Sequence, residues 1–122
     1  MILVVTSIWV DHLWARDEAL AHLLESGKVV IHPMIIGELA CGNLSNRVLL
    51  LGLWQDLPHV IEANHAEALF FLNSHQLMGK GIGWVDLHLL ASVRLTPHVQ
   101  LWTRDKCLVS IAQALGCHWL GA

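Results

Sequence analysis

MILVVTSIWVDH, residues 1–12, passes from a β-branched run into a helical pattern with no turn signal between them. Residues 2–5 are apolar at consecutive positions, which suits a short strand buried on both faces rather than one with a wet side. Thr6 or Ser7 can then cap a helix running to Trp14. A strand that feeds directly into a helix sets the theme that the rest of the chain repeats.

A second helix opens at Asp17 or Glu18 and ends at Ser26-Gly27, a helix stop. Residues 29–32 form another buried-strand candidate, and Pro33 suits the first turn of the helix that follows, which carries Glu38 and stops near Gly42-Asn43. Residues 47–56 form a helix with Leu49, Leu50, Leu53 and Trp54 as its apolar stripe. A short strand is expected at 59–61, a helix at about 63–75, a loop at 80–83, and a helix at 84–93 with Asp86 near its first turn. Residues 100–103 read as a strand, Asp105 opens a helix to Leu115, and residues 117–120 close as a last strand. Alternating strands and helices mean an α/β domain with a mostly parallel sheet and crossover helices. At 122 residues, without repeats, low-complexity segments or a linker, the chain reads as one domain, 1–122.

The composition is apolar: 55% hydrophobic and 14% charged, against about 45–50% and about 25% in ordinary domains. So little polar cover points to a partner protein over part of the surface. The net charge of −3 excludes a general basic glove for nucleic acid, though not a local patch. Cys41, Cys107 and Cys117 are odd in number and lie in apolar contexts, which reads as reduced core thiols in a cytoplasmic protein. The start lacks a basic leader region, and the apolar tail is too short to span a bilayer, so no membrane role is expected.

Three acids stand in apolar surroundings: Glu38 in PMIIGELACG, Asp86 in GIGWVDLHLL and Asp105 in LWTRDKCLVS. A carboxylate carried into apolar surroundings is costly unless a cation meets it, and the chain has only seven Lys and Arg. In an open parallel sheet, ligands gather beyond the carboxyl ends of the strands. Asp105 lies just past one strand end, while Glu38 and Asp86 are placed in the N-terminal halves of their helices, able to lean over the same edge. Clustered carboxylates without His or Cys suit Mg²⁺ or Mn²⁺. Taken singly, Asp105 also serves as a helix cap, Asp86 as a complement to the helix dipole, and Glu38 as a partner of Arg104. The nine histidines form no zinc-binding spacing, and the six tryptophans are expected in the core.

Four blocks in order, ILVVTSIWVDHL, HPMIIGELACGNL, MGKGIGWVDLHLLAS and LWTRDKCL, resemble PIN domains, and more narrowly the VapC-type toxins of bacterial toxin–antitoxin pairs. The resemblance runs nearly end to end. It implies a three-layer α/β/α sandwich around a short, mostly parallel sheet, and an Mg²⁺- or Mn²⁺-dependent endoribonuclease that forms a homodimer and is neutralised by a VapB-like antitoxin. By that similarity Glu38, Asp86 and Asp105 take the catalytic, metal-binding places, with Thr6 and Thr103 as supporting hydroxyls. Arg47, Lys80, Arg104 and Lys106 are the candidates for RNA contacts. The family's first acid belongs where this chain has Val5. That departure leaves two readings: a nuclease inactivated or impaired by Val5, or a binding module that dimerises and engages its antitoxin without cutting RNA.

Overall fold

The computed structural model describes residues 1–121. Three strands form a parallel sheet in the order β2-β1-β3: β1 at Ile2–Val4, β2 at Val29–Val30 and β3 at Gln100–Trp102. Ile2 pairs with Val29 on one side and Gln100 on the other, and Val4 reaches Trp102. All of β1 is buried, so both faces of the central strand are covered, as its unbroken apolar run requires. The result is the expected α/β architecture, with seven helices among the described residues around a small parallel sheet.

Those helices are α1 at Thr6–Trp14, α2 at Glu18–Glu25, α3 at Pro33–Ala40, α4 at Arg47–Asp56, α5 at His65–Ser74, α6 at Trp84–Leu95 and α7 at Lys106–Ala114. Local chemistry fixes most of their starts. Asp17 accepts from Leu20 N to cap α2, His32 Nδ1 from Met34 N to cap α3, and Asp105 from Leu108 N to cap α7. At α5, Asn64 and Glu67 exchange hydrogen bonds with each other's backbone N–H, a full capping box. The start of α1 departs from expectation. Val5 is its cap residue and has no polar side-chain atom with which to cap, and the Thr6 hydroxyl bonds Glu38 instead.

The two outer strands expected at 59–61 and 117–120 shrink to single bridges, Ile31 with His59 and Leu101 with His118. Each has the sheet on one side only, and the neighbouring Pro58 and Gly116 limit its length. The segment 61–63 is instead tied to α6: Ile61 N donates to Thr96 Oγ1 and Ala63 N to Ser92 Oγ.

The core gathers Leu3, Ile8, Leu20, Ile31, Ile35, Leu89, Leu90, Leu101 and Leu108, all fully buried. Only Cys117 of the three cysteines joins it; Cys41 and Cys107 are exposed, contrary to the core reading. The tryptophans also divide, with Trp9, Trp54 and Trp102 buried but Trp14 and Trp84 at the surface. On α4 only Trp54 is buried, and Leu49 and Leu53 of the expected stripe face outward. Among the described residues no helix is long and apolar enough to cross a membrane.

Candidate active site

The site is built at the carboxyl ends of β1 and β3. Val5 N donates to Trp102 O, so the register of the two strands carries on beyond Val4 and sets Val5 beside Thr103. Thr103 is buried, and its hydroxyl accepts from Asp105 N at 3.2 Å, which tightens the turn that delivers Asp105 to the start of α7. On the other side of Val5, Thr6 Oγ1 donates to Glu38 Oε1. Both threonines singled out from the sequence therefore orient the acids. Thr6 holds Glu38, and Thr103 supports the backbone of Asp105.

Glu38 differs from its expected setting in two ways. It sits toward the C-terminal end of α3, and it is exposed, since Ile35 and Leu39 turn their own side of the helix into the core. Arg104 is not its partner. The guanidinium pairs with Asp17 at 2.6 Å and Asp11 at 3.2 Å, and lies over the Trp102 ring at 5.4 Å. Asp11 is likewise spoken for, and lies on α1 away from the strand end. Asp105 is exposed as well, and Asp86 is half-buried in the first turn of α6. The acids thus stand at a surface edge rather than inside the core.

They nevertheless sense one another. Burial pushes the Asp86 carboxyl above its ordinary 3.8, and the charges of Asp105 and Glu38 push it further, against a stabilising backbone hydrogen bond from Gly83. Carboxylates from α3, α6 and α7 therefore share one electrostatic neighbourhood, drawn from positions far apart in the chain. Their oxygens are the right donors for a hard divalent ion. The enclosure is incomplete, however: among the described residues no group of three or more His, Cys, Asp and Glu side chains is gathered closely enough to hold a metal ion. Val5, buried at the strand end, brings only methyl groups to this edge. The residues present match a divalent ion in donor type but not in number or closeness.

The cationic candidates fare differently. Arg47 bends back to the Gly42 carbonyl at 3.3 Å, and Arg104 is held in its ion pairs. Lys80 and Lys106 are exposed, and their chain neighbours Gly81 and Cys107 pack together: a Cβ at Gly81 would lie 2.9 Å from the Cys107 Sγ. With φ at +82° and no room for a side chain, residue 81 has to be glycine.

No protein-family model matches the chain. Two curated proteins do: Ribonuclease VapC32 from two strains of Mycobacterium tuberculosis, each 43% identical over 108 residues, or 88% of this chain and 87% of the relative. The chain belongs to the VapC family of PIN-type ribonucleases. The VapC match, 108 residues in a chain of 122, is longer than the stretch that runs from β1 to β3. Two residues outside the sequence reading flank the acids along the chain. Buried His32 caps the helix carrying Glu38, and Trp84 stands two residues before Asp86. Pro33 and the WVD run were the available signals.

Proposed function

We propose that this chain is the toxin of a VapC-type toxin–antitoxin pair, a hydrolase of the Mg²⁺- or Mn²⁺-dependent endoribonuclease class acting on RNA phosphodiester bonds, in which Val5 lowers ion binding and cleavage. The observation that carries this reading is the 43% identity to Ribonuclease VapC32 over 88% of the chain, supported by the charges of Asp105 and Glu38 acting on the Asp86 carboxyl. Such a set of acids is left without neutralisation when an ion is absent, and an ion bound by oxygen donors is the ordinary remedy. Glu38, Asp86 and Asp105 are the proposed catalytic and metal-binding residues, and an aspartate at position 5 would make four carboxylates at one edge. Lys80 and Lys106 are the proposed phosphate contacts, and the cytoplasm, where RNA and Mg²⁺ meet, is the proposed location.

A second reading rests on a separate observation. An apolar groove of about 320 Å³ is lined by Trp9, Leu13, Leu24, Leu50, Leu53 and Trp54. Around it Trp14, Val48 and Leu49 are more than half exposed. A surface of this kind supports docking of an amphipathic VapB-like antitoxin segment, and a chain that has lost cleavage can keep that role, together with homodimerisation.

An RNA cleavage assay in Mn²⁺ separates the two. The impaired-nuclease reading expects Val5→Asp to cleave single-stranded RNA at least about tenfold faster than the parent chain, in line with a single charged ligand contributing more than 1.4 kcal/mol. If neither protein cleaves while both bind antitoxin, the binding-module reading stands in its place. Equal, substantial cleavage by both proteins would refute the role given to Val5.

A further inference from the structure

The groove between α1, α2 and α4 is apolar in its walls but one-sided in its hydrogen bonding. Of the side chains that line it, only Trp9, His12 and Trp54 carry polar atoms; the others are leucines. An indole nitrogen can only donate. Trp9 Nε1 is buried and has no partner, a state that costs free energy until an acceptor reaches it. The rings around it belong to the same groove. Trp9 meets Trp54 edge-on at 5.9 Å and 73°, and His12 at 6.4 Å and 75°.

His12 has one of its nitrogens committed. Its Nδ1 accepts from Asp17 N at 3.0 Å, at the corner where α2 begins. The neutral ring therefore carries its proton on Nε2, and the nitrogen left over is a third donor. The polar side chains of the groove thus offer three donors to an occupant and no acceptor.

Charge narrows the choice further. The groove gathers the last turns of three helices: His12 and Leu13 in α1, Leu24 in α2, Leu53 and Trp54 in α4. Helix C-termini carry partial negative charge, and the chain as a whole stands at −3. A carboxylate accepts well but meets repulsion there. Lysine and arginine suit the charge but have no acceptor to give. A purely apolar residue leaves the donors unpaired. A neutral oxygen meets both requirements.

We propose that this groove selects a partner helix carrying a neutral side-chain acceptor, an amide or hydroxyl oxygen, within its apolar stripe, with Trp9, His12 and Trp54 as the residues that set this specificity. The inference rests on the docking reading above and names the chemistry by which the groove chooses its occupant. A site built from donors rejects an analogue without the acceptor, because its own polar groups then stay unpaired.

The probes are synthetic amphipathic peptides of about 20 residues, long enough to hold a helix in water. Their apolar stripe is leucine, and each of its positions in turn is replaced by glutamine, norleucine, glutamate or lysine. Fluorescence anisotropy of the labelled peptides with the full chain measures affinity. At one position glutamine is expected to bind about three- to tenfold tighter than norleucine, and at least about tenfold tighter than glutamate or lysine. His12→Asn keeps a short oxygen for Asp17 N and withdraws the ring donor, while Trp9→Phe removes the indole N–H and keeps a packed ring. Each is expected to cut the glutamine advantage to about twofold or less. Nitrogen-15 spectra of the parent should show His12 protonated at Nε2. Equal affinity for glutamine and norleucine at every position, with all binding lost in Leu53→Glu, would overturn the acceptor rule and leave the docking surface standing. A glutamine advantage undiminished in both folded variants, or a His12 protonated at Nδ1, would overturn the rule as well. Binding of no peptide by the parent, or binding that survives Leu53→Glu, would remove the docking reading and the rule together.

Discussion

The hydroxyl of Thr6 donates to the Glu38 carboxylate across 32 residues of chain, and the residue immediately before it is Val5. The bond fixes α3 against the end of β1 and holds one acid beside position 5, where the proposed function expects another. Thr6→Val keeps the shape and removes the donor. In a Val5→Asp background it is expected to weaken Mn²⁺ binding several-fold and to cost about 1 kcal/mol of stability, the usual net worth of such a bond. Titration calorimetry and urea unfolding of the same two proteins check both effects.

Arg104 ties the turn before α7 to the corner between α1 and α2. Its guanidinium joins Asp17 and Asp11 and covers Trp102, while Asp17 also caps α2. The Leu20 backbone N–H and then Arg104 hold the Asp17 carboxyl below its ordinary 3.8, against the opposing effect of burial. Asp17 therefore adds stability above pH 3.8 that is lost as pH falls through its lowered native value. Arg104→Ala is expected to cost about 1–2 kcal/mol in urea unfolding at low salt, and less at high salt. Lysine should restore only part of this, since it cannot span two carboxylates with a planar fork.

His32 keeps its neutral form to lower pH than an ordinary surface histidine. Burial pushes its pKa below 6.5, His88 and His59 push the same way, and Glu62 opposes them. Its Nδ1 accepts from Met34 N, so protonation there would break the cap of α3. The unfolded chain takes up the proton near pH 6.5 while the native state resists it. Stability is therefore full above that pH and is lost as pH falls toward the lowered native value. His32→Asn keeps a capping acceptor without the titration, and its stability should fall less steeply between about pH 6.5 and pH 5. An identical pH slope for both proteins in chemical unfolding would contradict this.

The apolar groove on α1, α2 and α4 predicts a variant that separates folding from partner binding. Leu53 is 55% exposed, so Leu53→Glu should leave the melting temperature within a degree or two, as surface changes usually do. The same change should abolish co-purification with a co-expressed VapB-like antitoxin. Retained co-purification would move the docking surface elsewhere.

What the sequence made legible was what local pattern controls. The unbroken apolar run of β1 required cover on both faces, Asp17, Pro33 and Asp105 marked helix starts within a residue or two, and the helix expected from about 63 begins at His65. The outer strands were overextended, because an edge with one neighbour is decided by tertiary pairing rather than by β-propensity. Glu38 looked buried because its neighbours are apolar, yet successive residues on a helix point to different sides, and in this chain many apolar side chains are exposed. The Arg104 clamp joins residues 93 and 87 positions apart, and the Trp84–His65 pair joins the starts of two helices. Neither spacing leaves a periodic trace.

The central claim is that Val5 stands at a vacant carboxylate position in an acidic edge shared by Glu38, Asp86 and Asp105. Calorimetric titration of Mn²⁺ into the parent and into Val5→Asp tests it directly. The account predicts weak binding by the parent and at least about tenfold tighter binding by the variant, the effect of one added carboxylate ligand. Equal affinity in the two proteins would contradict it.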